Sequence, residues 1–345
     1  METSEMMRAD VLDQPEAIRQ SLPSLRAQIA DLSWPVGTFR RVIFAGSGDS
    51  YFAPKALEYA ARKHVSLPVR ALPSLEAARY WPFQEGDLLV ALSISGESMR
   101  TTWAAKAASE AGAFALGVTV NEASSLAAAS KAKLIIPFKS RSRSTPHAAD
   151  YMATLISVAV ILEHLGGTQF AVLDNLAGMV GEALAALDGP CQTLAHAVVS
   201  DVAFHFLGTG PSLATAEYGM AKFWEAGGFR AFALDLEEYG HGLHLSVGED
   251  DTVFVMAPSG QALDRAVAVV KGNQVLGPHV VAVTDAPERF GSERVLPFPK
   301  VAEEWSPLVS CLPLQLACWA IASLKGFGHR HGAETYQEAH RFLRT

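Results

Sequence analysis

The chain has little cysteine, little charge and no long basic run, and each shortage excludes a class of protein. Only three of its 345 residues are cysteine: Cys191, Cys311 and Cys318. Their spacing fits no C-x-x-C pattern, so neither a metal site nor a disulfide framework is expected. Such sparse cysteine fits a reducing, cytoplasmic setting. Charged residues make up 19% of the chain and the net charge is -8. That balance argues against a nucleic-acid partner. The polar, acidic opening METSEMMRADVLDQPEAI has no signal-peptide pattern. The most apolar stretches, 153–162 and 308–324, look too short or too polar-edged for a bilayer span. They read as core helices, and no membrane partner is expected. Nucleotide motifs are missing too. No G-x-x-x-x-G-K-[ST] run occurs, and the G-x-G at Gly46 meets Tyr51 where a third glycine is needed. No G-x-S-x-G elbow stands beside a plausible triad.

What is present is apolar and regularly punctuated. Apolar residues reach 49%, and the length suits two domains. Short apolar runs predict strands at 41–45, 69–72, 88–92, 114–119 and 134–137. Helical stretches lie before and between them: 6–29 with Pro15 near a helix start, 52–63, and the alanine-rich 103–113 and 126–132. Strands alternating with helices imply a parallel sheet covered on both faces, with ligands at the carboxyl ends of the strands. A helical region, 150–197, follows, with expected breaks at Gly166-Gly167 and Gly189-Pro190. Strands are then predicted again at 202–207, 252–256 and 280–284. Gly208-Thr209-Gly210 matches Gly46-Ser47-Gly48, and Ala257-Pro258-Ser259-Gly260 matches Ser93-Ile94-Ser95-Gly96. We therefore expect two copies of one α/β unit, with domains at 1–165 and 166–345.

The clearest chemistry lies between Leu88 and Thr102, LLVALSISGESMRTT. A buried strand, a hydroxyl-rich turn and a helix N-terminus are predicted there. Backbone N–H groups and small hydroxyls then converge at the positive end of a helix dipole, which suits a phosphate monoester. Helix capping uses one or two hydroxyls, and five stand between Ser93 and Thr102. The second copy has Ala257 in place of Ser93 and no hydroxyl cluster after Gly260. One phosphate site per chain is expected, in the first copy.

These residues resemble the sugar isomerase (SIS) domain family, and most of all the isomerase half of glucosamine-6-phosphate synthase. The likeness is carried by Gln14-Pro15-x-Ala17-Ile18, Gly48-Asp49-Ser50-Tyr51, Ser93-x-Ser95-Gly96-Glu97-Ser98, and Pro313-Leu314-Gln315-Leu316 with Lys325-Gly326. It implies an α/β fold of two tandem SIS domains. Each would be a five-stranded parallel sheet flanked by helices, a flavodoxin-like three-layer sandwich. It also implies a homodimer with sites shared between subunits, and no metal or organic cofactor. The sugar phosphate would be held by Gly48, Ser50, Ser93, Ser95, Gly96 and Ser98. The acid/base carboxylate would be Glu225, in Lys222-Phe223-Trp224-Glu225. That spacing puts Lys222 and Glu225 on one helix face, as a simple surface ion pair would also do. Glu217 stands near another glutamate of the family. His241, in Glu238-Tyr239-Gly240-His241-Gly242, would be lent to the partner's site for ring opening. A histidine between two glycines is an awkward core residue. His244 is a bystander.

Three departures shape the functional expectation. Ala339-His340 stands where the relatives have Ala-Lys, so no Schiff-base ring opening is expected. His340 is an acid/base candidate instead, with tail packing as the alternative. The bend 140–151 offers Arg141, Arg143 and His147 for a second anionic group, or forms only a solvated loop. Residue 2 is Glu2, not a cysteine nucleophile, so no glutamine-hydrolysing activity is expected. The resulting expectation is a phosphosugar isomerase or deaminase. It would act on a hexose or amino-hexose 6-phosphate through an enediol-type proton transfer between C1 and C2. A deglycase of phosphorylated Amadori (fructosyl-amino acid) compounds and a non-catalytic phosphosugar-sensing SIS protein are the alternatives.

Overall fold

Strand runs such as Asp87–Leu92 and Thr252–Ala257 are buried along their whole length. Such runs are stable only in a sheet covered on both faces. The computed structural model describes residues 3–141, 145–198, 202–291 and 294–328, with Thr335, Glu338, Ala339, Phe342 and Leu343. The first half forms β1 (Arg41–Gly46), β2 (Val69–Pro73), β3 (Asp87–Leu92), β4 (Phe114–Thr119) and β5 (Ala132–Ile135). They pair in parallel in the order β2-β1-β3-β4-β5. The second half forms β6 (Ala203–Gly208), β7 (Arg230–Asp235), β8 (Thr252–Ala257), β9 (His279–Thr284) and β10 (Arg294–Pro297). Its parallel order, β7-β6-β8-β9-β10, repeats the first. The α/β class and the two five-stranded parallel sheets are as expected. The sequence pattern alone did not mark β7 or β10. In β7 the exposed Arg230 and Phe232 interrupt the apolar run, as befits an edge strand, and β10 has only four residues.

The helices depart from expectation where proline meets packing. Helices α1 (Thr3–Leu12) and α2 (Gln14–Asp31) divide as predicted, with Pro15 in the first turn of α2, where no N–H is needed. The single helix expected over 52–63 is two: α3 (Asp49–Ala56) and α4 (Glu58–His64). Pro54 lacks an N–H, and Leu57 leaves helical geometry between them. Three short connections follow as α5 (Ser74–Arg79), α6 (Met99–Glu110) and α7 (Ser125–Ala129). Gly167, in a left-handed conformation, ends α8 (Ala149–Gly166) as expected. After α9 (Ala171–Asp174) comes α10 (Leu176–Ala197), which runs straight through Gly189-Pro190. No break occurs there. Leu187, Cys191 and Leu194 are buried along α10, and the Cys191 thiol donates to the Pro313 carbonyl of α14 (Pro307–Lys325). Packing along that face overrides the local cost of proline. The remaining helices are α11 (Pro211–Gly227), α12 (Leu236–Gly240) and α13 (Leu263–Leu276).

By length and composition α8 and α14 could each cross a membrane, contrary to the expectation from their edges. Yet 83% of each apolar window is buried inside the protein, so both serve here as core helices. One apolar core runs across both halves. It joins Phe44 of β1, Tyr151 of α8, Phe204 and Phe206 of β6, and Leu314 of α14. Tyr151 stacks on Tyr218 of α11 with ring centroids 3.8 Å apart. A buried polar chain follows the same path. Gln14 donates to Gln315 at 2.7 Å, Gln315 to the Tyr218 hydroxyl at 2.9 Å, and that hydroxyl to the His147 carbonyl at 3.1 Å. Gln315→Leu keeps the volume but strips the acceptor of Gln14 and the donor of Tyr218. We expect it to lower the unfolding free energy by about 2 kcal/mol, read as a lower urea midpoint at unchanged slope.

Candidate active site

The carboxyl ends of β1 and β3 lie side by side, because Ala45 is in register with Ala91. From β1 the chain turns at once into α3. A Cβ on Gly46 would sit 2.1 Å from the Ser50 carbonyl oxygen, so only glycine permits so tight a turn. Gly48 is the N-cap of α3, Asp49 its first residue, and Ser50 is buried just inside. From β3 the chain enters the serine turn. Gly96 has φ +73, and a Cβ there would lie 2.1 Å from Ser124 Oγ. Ser93 Oγ accepts from the Gly96 N–H and Ser95 Oγ from the Glu97 N–H, both at 3.2 Å. Ser98 is the N-cap of α6, but its hydroxyl makes no capping bond; it accepts from Thr101 at 2.9 Å. Thr101 is buried against Ser74 at 2.7 Å, and Thr102 donates to the Ser98 carbonyl. The five hydroxyls counted in the sequence thus divide. Two brace the helix start, while Ser93, Ser95 and Ser98 each accept one bond and keep an O–H hydrogen for an outside acceptor. A phosphate oxygen is such an acceptor.

The twin turn after β8 is chemically closed. The Gln261 N–H bonds Glu303 Oε2 at 3.1 Å, and the Ser259 N–H bonds Asp285. A Cβ on Gly260 would overlap the Glu303 carboxyl group, 2.0 Å from its carbon. Two of the protein's own carboxylates therefore occupy the turn. Beside it lies a cavity of about 590 Å³, lined in part by Glu303, Glu304, Thr209 and Gly210. Lys63 also lines it but is already paired with Glu304 at 2.6 Å, so the cavity offers a phosphate no unpaired lysine.

Between the halves lies an ion cluster. Lys222 of α11 is 2% exposed, and its ammonium donates to Asp49 at 2.9 Å and to Glu225 at 2.6 Å. Burial alone would lower the Lys222 pKa, but the two carboxylates outweigh it and raise it. Asp49 is 17% exposed; burial pushes its pKa up to about 6, with Lys222 pulling the other way and Glu225 adding to the rise. Glu225 is 45% exposed, so its carboxylate reaches solvent while its partner does not. The candidate pair is therefore not a surface ion pair. Sequence reading missed Asp49 as a member. Its one local signal was a carboxylate opening a helix inside a glycine turn.

The other candidates fall elsewhere. Glu217 holds Lys55 of α3 through both carboxylate oxygens, at 2.6 and 2.7 Å. His241 caps the end of α12 with its side chain 68% exposed, beside Glu237 at 3.3 Å. No described contact joins it to Glu225. His244 faces the Tyr239 carbonyl. Arg141 already makes a two-pronged pair with Asp13, and His147 lies against Asp150 at 3.4 Å. Arg143 and His340 lie outside the described residues. All three cysteine thiols are buried, which pushes Cys191 and Cys311 up to about 12 and raises Cys318 as well. No cluster of metal-ligating residues occurs among the described residues.

Residues 39–163 match the SIS domain family. The chain carries a SIS domain. The matched stretch includes the serine turn and Asp49 and ends before Lys222, Glu225 and His241. The chain is 26% identical to glutamine–fructose-6-phosphate aminotransferase (isomerizing) of Zymomonas mobilis. That match takes in 93% of this chain and 56% of the relative, so the chain spans about half the length of the curated relatives it matches. Two solved structures share the fold. The C-terminal domain of glucosamine-fructose-6-phosphate aminotransferase from Francisella tularensis superposes with a TM-score of 0.83 at 19% identity. It covers 94% of this chain and 97% of that one. Tagatose-6-phosphate ketose/aldose isomerase from Escherichia coli gives 0.78 at 18% identity, covering 93% and 91%.

The raised Asp49 pKa gives the ion cluster a pH signature. Because the folded value lies above the ordinary 3.8, this group favours folding most below about pH 4, and the contribution is lost as the pH rises through about 6. We expect the wild-type minus Asp49→Asn difference in unfolding free energy to fall by on the order of 3 kcal/mol across that window and to level off above it. Urea titrations at stepped pH read it. A difference flat from about pH 4 to about pH 7 would mean an ordinary, solvated aspartate.

Proposed function

We propose that the chain is a phosphosugar isomerase or deaminase acting on an open-chain hexose, or amino-hexose, 6-phosphate. The observation that carries the reading is the Lys222–Glu225 pair: a buried ammonium holding a half-exposed carboxylate. Asp49 ties that pair to the turn next to the serine turn. The phosphate would accept from Ser50, Ser93, Ser95 and Ser98 at the amino end of α6, where the helix dipole favours an anion. Glu225 then takes the proton from C2 of the open-chain aldose. The C2–H electrons form the enediolate, the O2 proton passes to O1, and the same carboxyl returns its proton to C1, giving the ketose with no atom lost. The Lys222 ammonium orients the carboxylate and offsets the charge that grows on the substrate oxygen. With an amine at C2, the same transfer gives an imine, which water splits into ketose and ammonia.

Ring opening needs a further acid/base group, and His241 is the candidate. In one chain it is exposed and shares no described contact with Glu225. A second copy of the chain would have to supply it, which is the reason for reading the protein as a homodimer with shared sites. The two halves would then be tandem SIS domains, the first holding phosphate and the second supplying the acid/base pair.

Glu225→Gln is the deciding variant. We expect kcat with the turned-over hexose 6-phosphate to fall about 10²–10⁴-fold while the stabilisation of the fold by that ligand persists. Wild type that binds hexose 6-phosphates yet turns none over, with the variant binding equally well, would support the phosphosugar sensor instead. Ser98→Ala tests the phosphate end separately. It should raise KM about tenfold through one lost charge-assisted bond, with kcat little changed.

A further inference from the structure

The charge count of the Lys222 cluster does not close. One ammonium faces two carboxylates, Asp49 and Glu225. A third, Asp10, lies near enough to raise the Asp49 pKa further. Asp10 itself accepts the Ala148 and Ala149 N–H groups and the Ser140 hydroxyl, and the Arg141 guanidinium lies near enough to feel its charge, so the surplus that counts is the one at Asp49 and Glu225. The nearest other ion pair between α3 and α11, Lys55 with Glu217, is balanced within itself. Among the described residues no cation other than Lys222 is paired with Asp49 or Glu225. The geometry also leaves an acceptor unused. Asp49 Oδ2 takes the Lys222 bond, while Oδ1 is shielded from water and has no hydrogen-bond partner. A carboxylate oxygen without a donor is a strong acceptor, and since the Asp49 side chain is 17% exposed, a small rotation of the carboxylate would present this one to a ligand.

A sugar hydroxyl would satisfy that acceptor but leave the surplus negative charge in place. A protonated amine satisfies both, through a charge-assisted bond in a low-dielectric site. Position agrees with this. Asp49 precedes Ser50 on the turn beside the serine loop and touches the ammonium that holds Glu225, so it stands between the phosphate end and the reacting end. We propose that Asp49 is a specificity-determining residue that selects phosphosugars carrying a cationic nitrogen at C1 or C2, through its unpartnered Oδ1. The ligand class is an amino-hexose phosphate or a phosphorylated 1-amino-1-deoxyketose. The inference rests on the phosphosugar reading above. Asp49 is mainly ionised at neutral pH, since its raised pKa remains near 6.

The test uses matched pairs that exchange only an amine for a hydroxyl. Glucosamine 6-phosphate is paired with glucose 6-phosphate, and 1-amino-1-deoxyfructose 6-phosphate with fructose 6-phosphate. Affinities are measured by calorimetric titration of the wild-type chain and of Asp49→Asn, whose fold is checked by circular dichroism. We expect the amine of at least one pair to bind wild type about tenfold or more tighter than its hydroxyl twin, as one charge-assisted bond allows. Asp49→Asn should erase that ratio while leaving the hydroxyl twin's affinity within a few-fold. Equal affinities within both pairs in wild type, a measurement that needs no variant, would overturn the inference and leave the phosphosugar reading standing. So would a ratio that survives in Asp49→Asn. If none of the four ligands binds wild type, the phosphosugar reading falls and this inference falls with it.

Discussion

A lysine ammonium sealed from water constrains everything around it. Lys222 is 2% exposed, and a bare charge at that depth would cost several kcal/mol. It is tolerable only with Asp49 and Glu225 on either side. Those partners come from opposite halves: Asp49 begins α3 in the first, and Glu225 lies one turn along α11 in the second. The ammonium therefore pins α11 to the turn after β1. Tyr151 stacked on Tyr218 and the Lys55–Glu217 pair reinforce the same seam. The two halves form one body around that seam, which is why the apolar core does not stop between them. A site that needs phosphate held by one half and a proton moved by the other needs such a rigid join.

The two halves also show how little topology says about chemistry. Their strand orders are the same, and each has a turn at the end of the equivalent central strand. In the first, hydroxyls with hydrogens to donate face an uncapped helix start. In the second, Glu303 and Asp285 accept the turn's own N–H groups. Backbone donors that would meet an outside anion are thus met by tethered ones. The tethered carboxylates carry no binding entropy cost, so they are present at all times. The fold supplies the turn; side chains decide whether it is open.

What could be read from the sequence follows the range of each interaction. Strands β3 and β8 were legible because every residue after the first is apolar, and the serine turn because its hydroxyls are close in sequence. The split between α3 and α4 was missed because a proline can sit within a helix or end it, and packing decides which. Pro190 shows the opposite outcome in α10. Edge strand β7 was missed because half its residues face outward. Thr101 and Thr102 were counted in the hydroxyl cluster, and only their neighbours show that they brace the helix start. Asp49 and Lys222 are 173 residues apart, and no periodicity links them. The Lys222–Glu225 spacing marked a shared helix face, but not that the lysine is buried and the carboxylate open.

That last difference is what makes the pair suited to chemistry. An ion pair exposed at both ends is worth little and positions nothing. A pair buried at both ends could not meet a substrate. Here the ammonium is fixed by two bonds in the interior, and Glu225 extends from it toward solvent. Its carboxylate is oriented from behind while its outer face remains accessible. The same arrangement has a cost. Burial raises the Asp49 pKa, and of its two oxygens only the one that accepts from Lys222 has a partner. The carboxylate oriented from behind and open in front is the part of the cluster suited to act on a substrate.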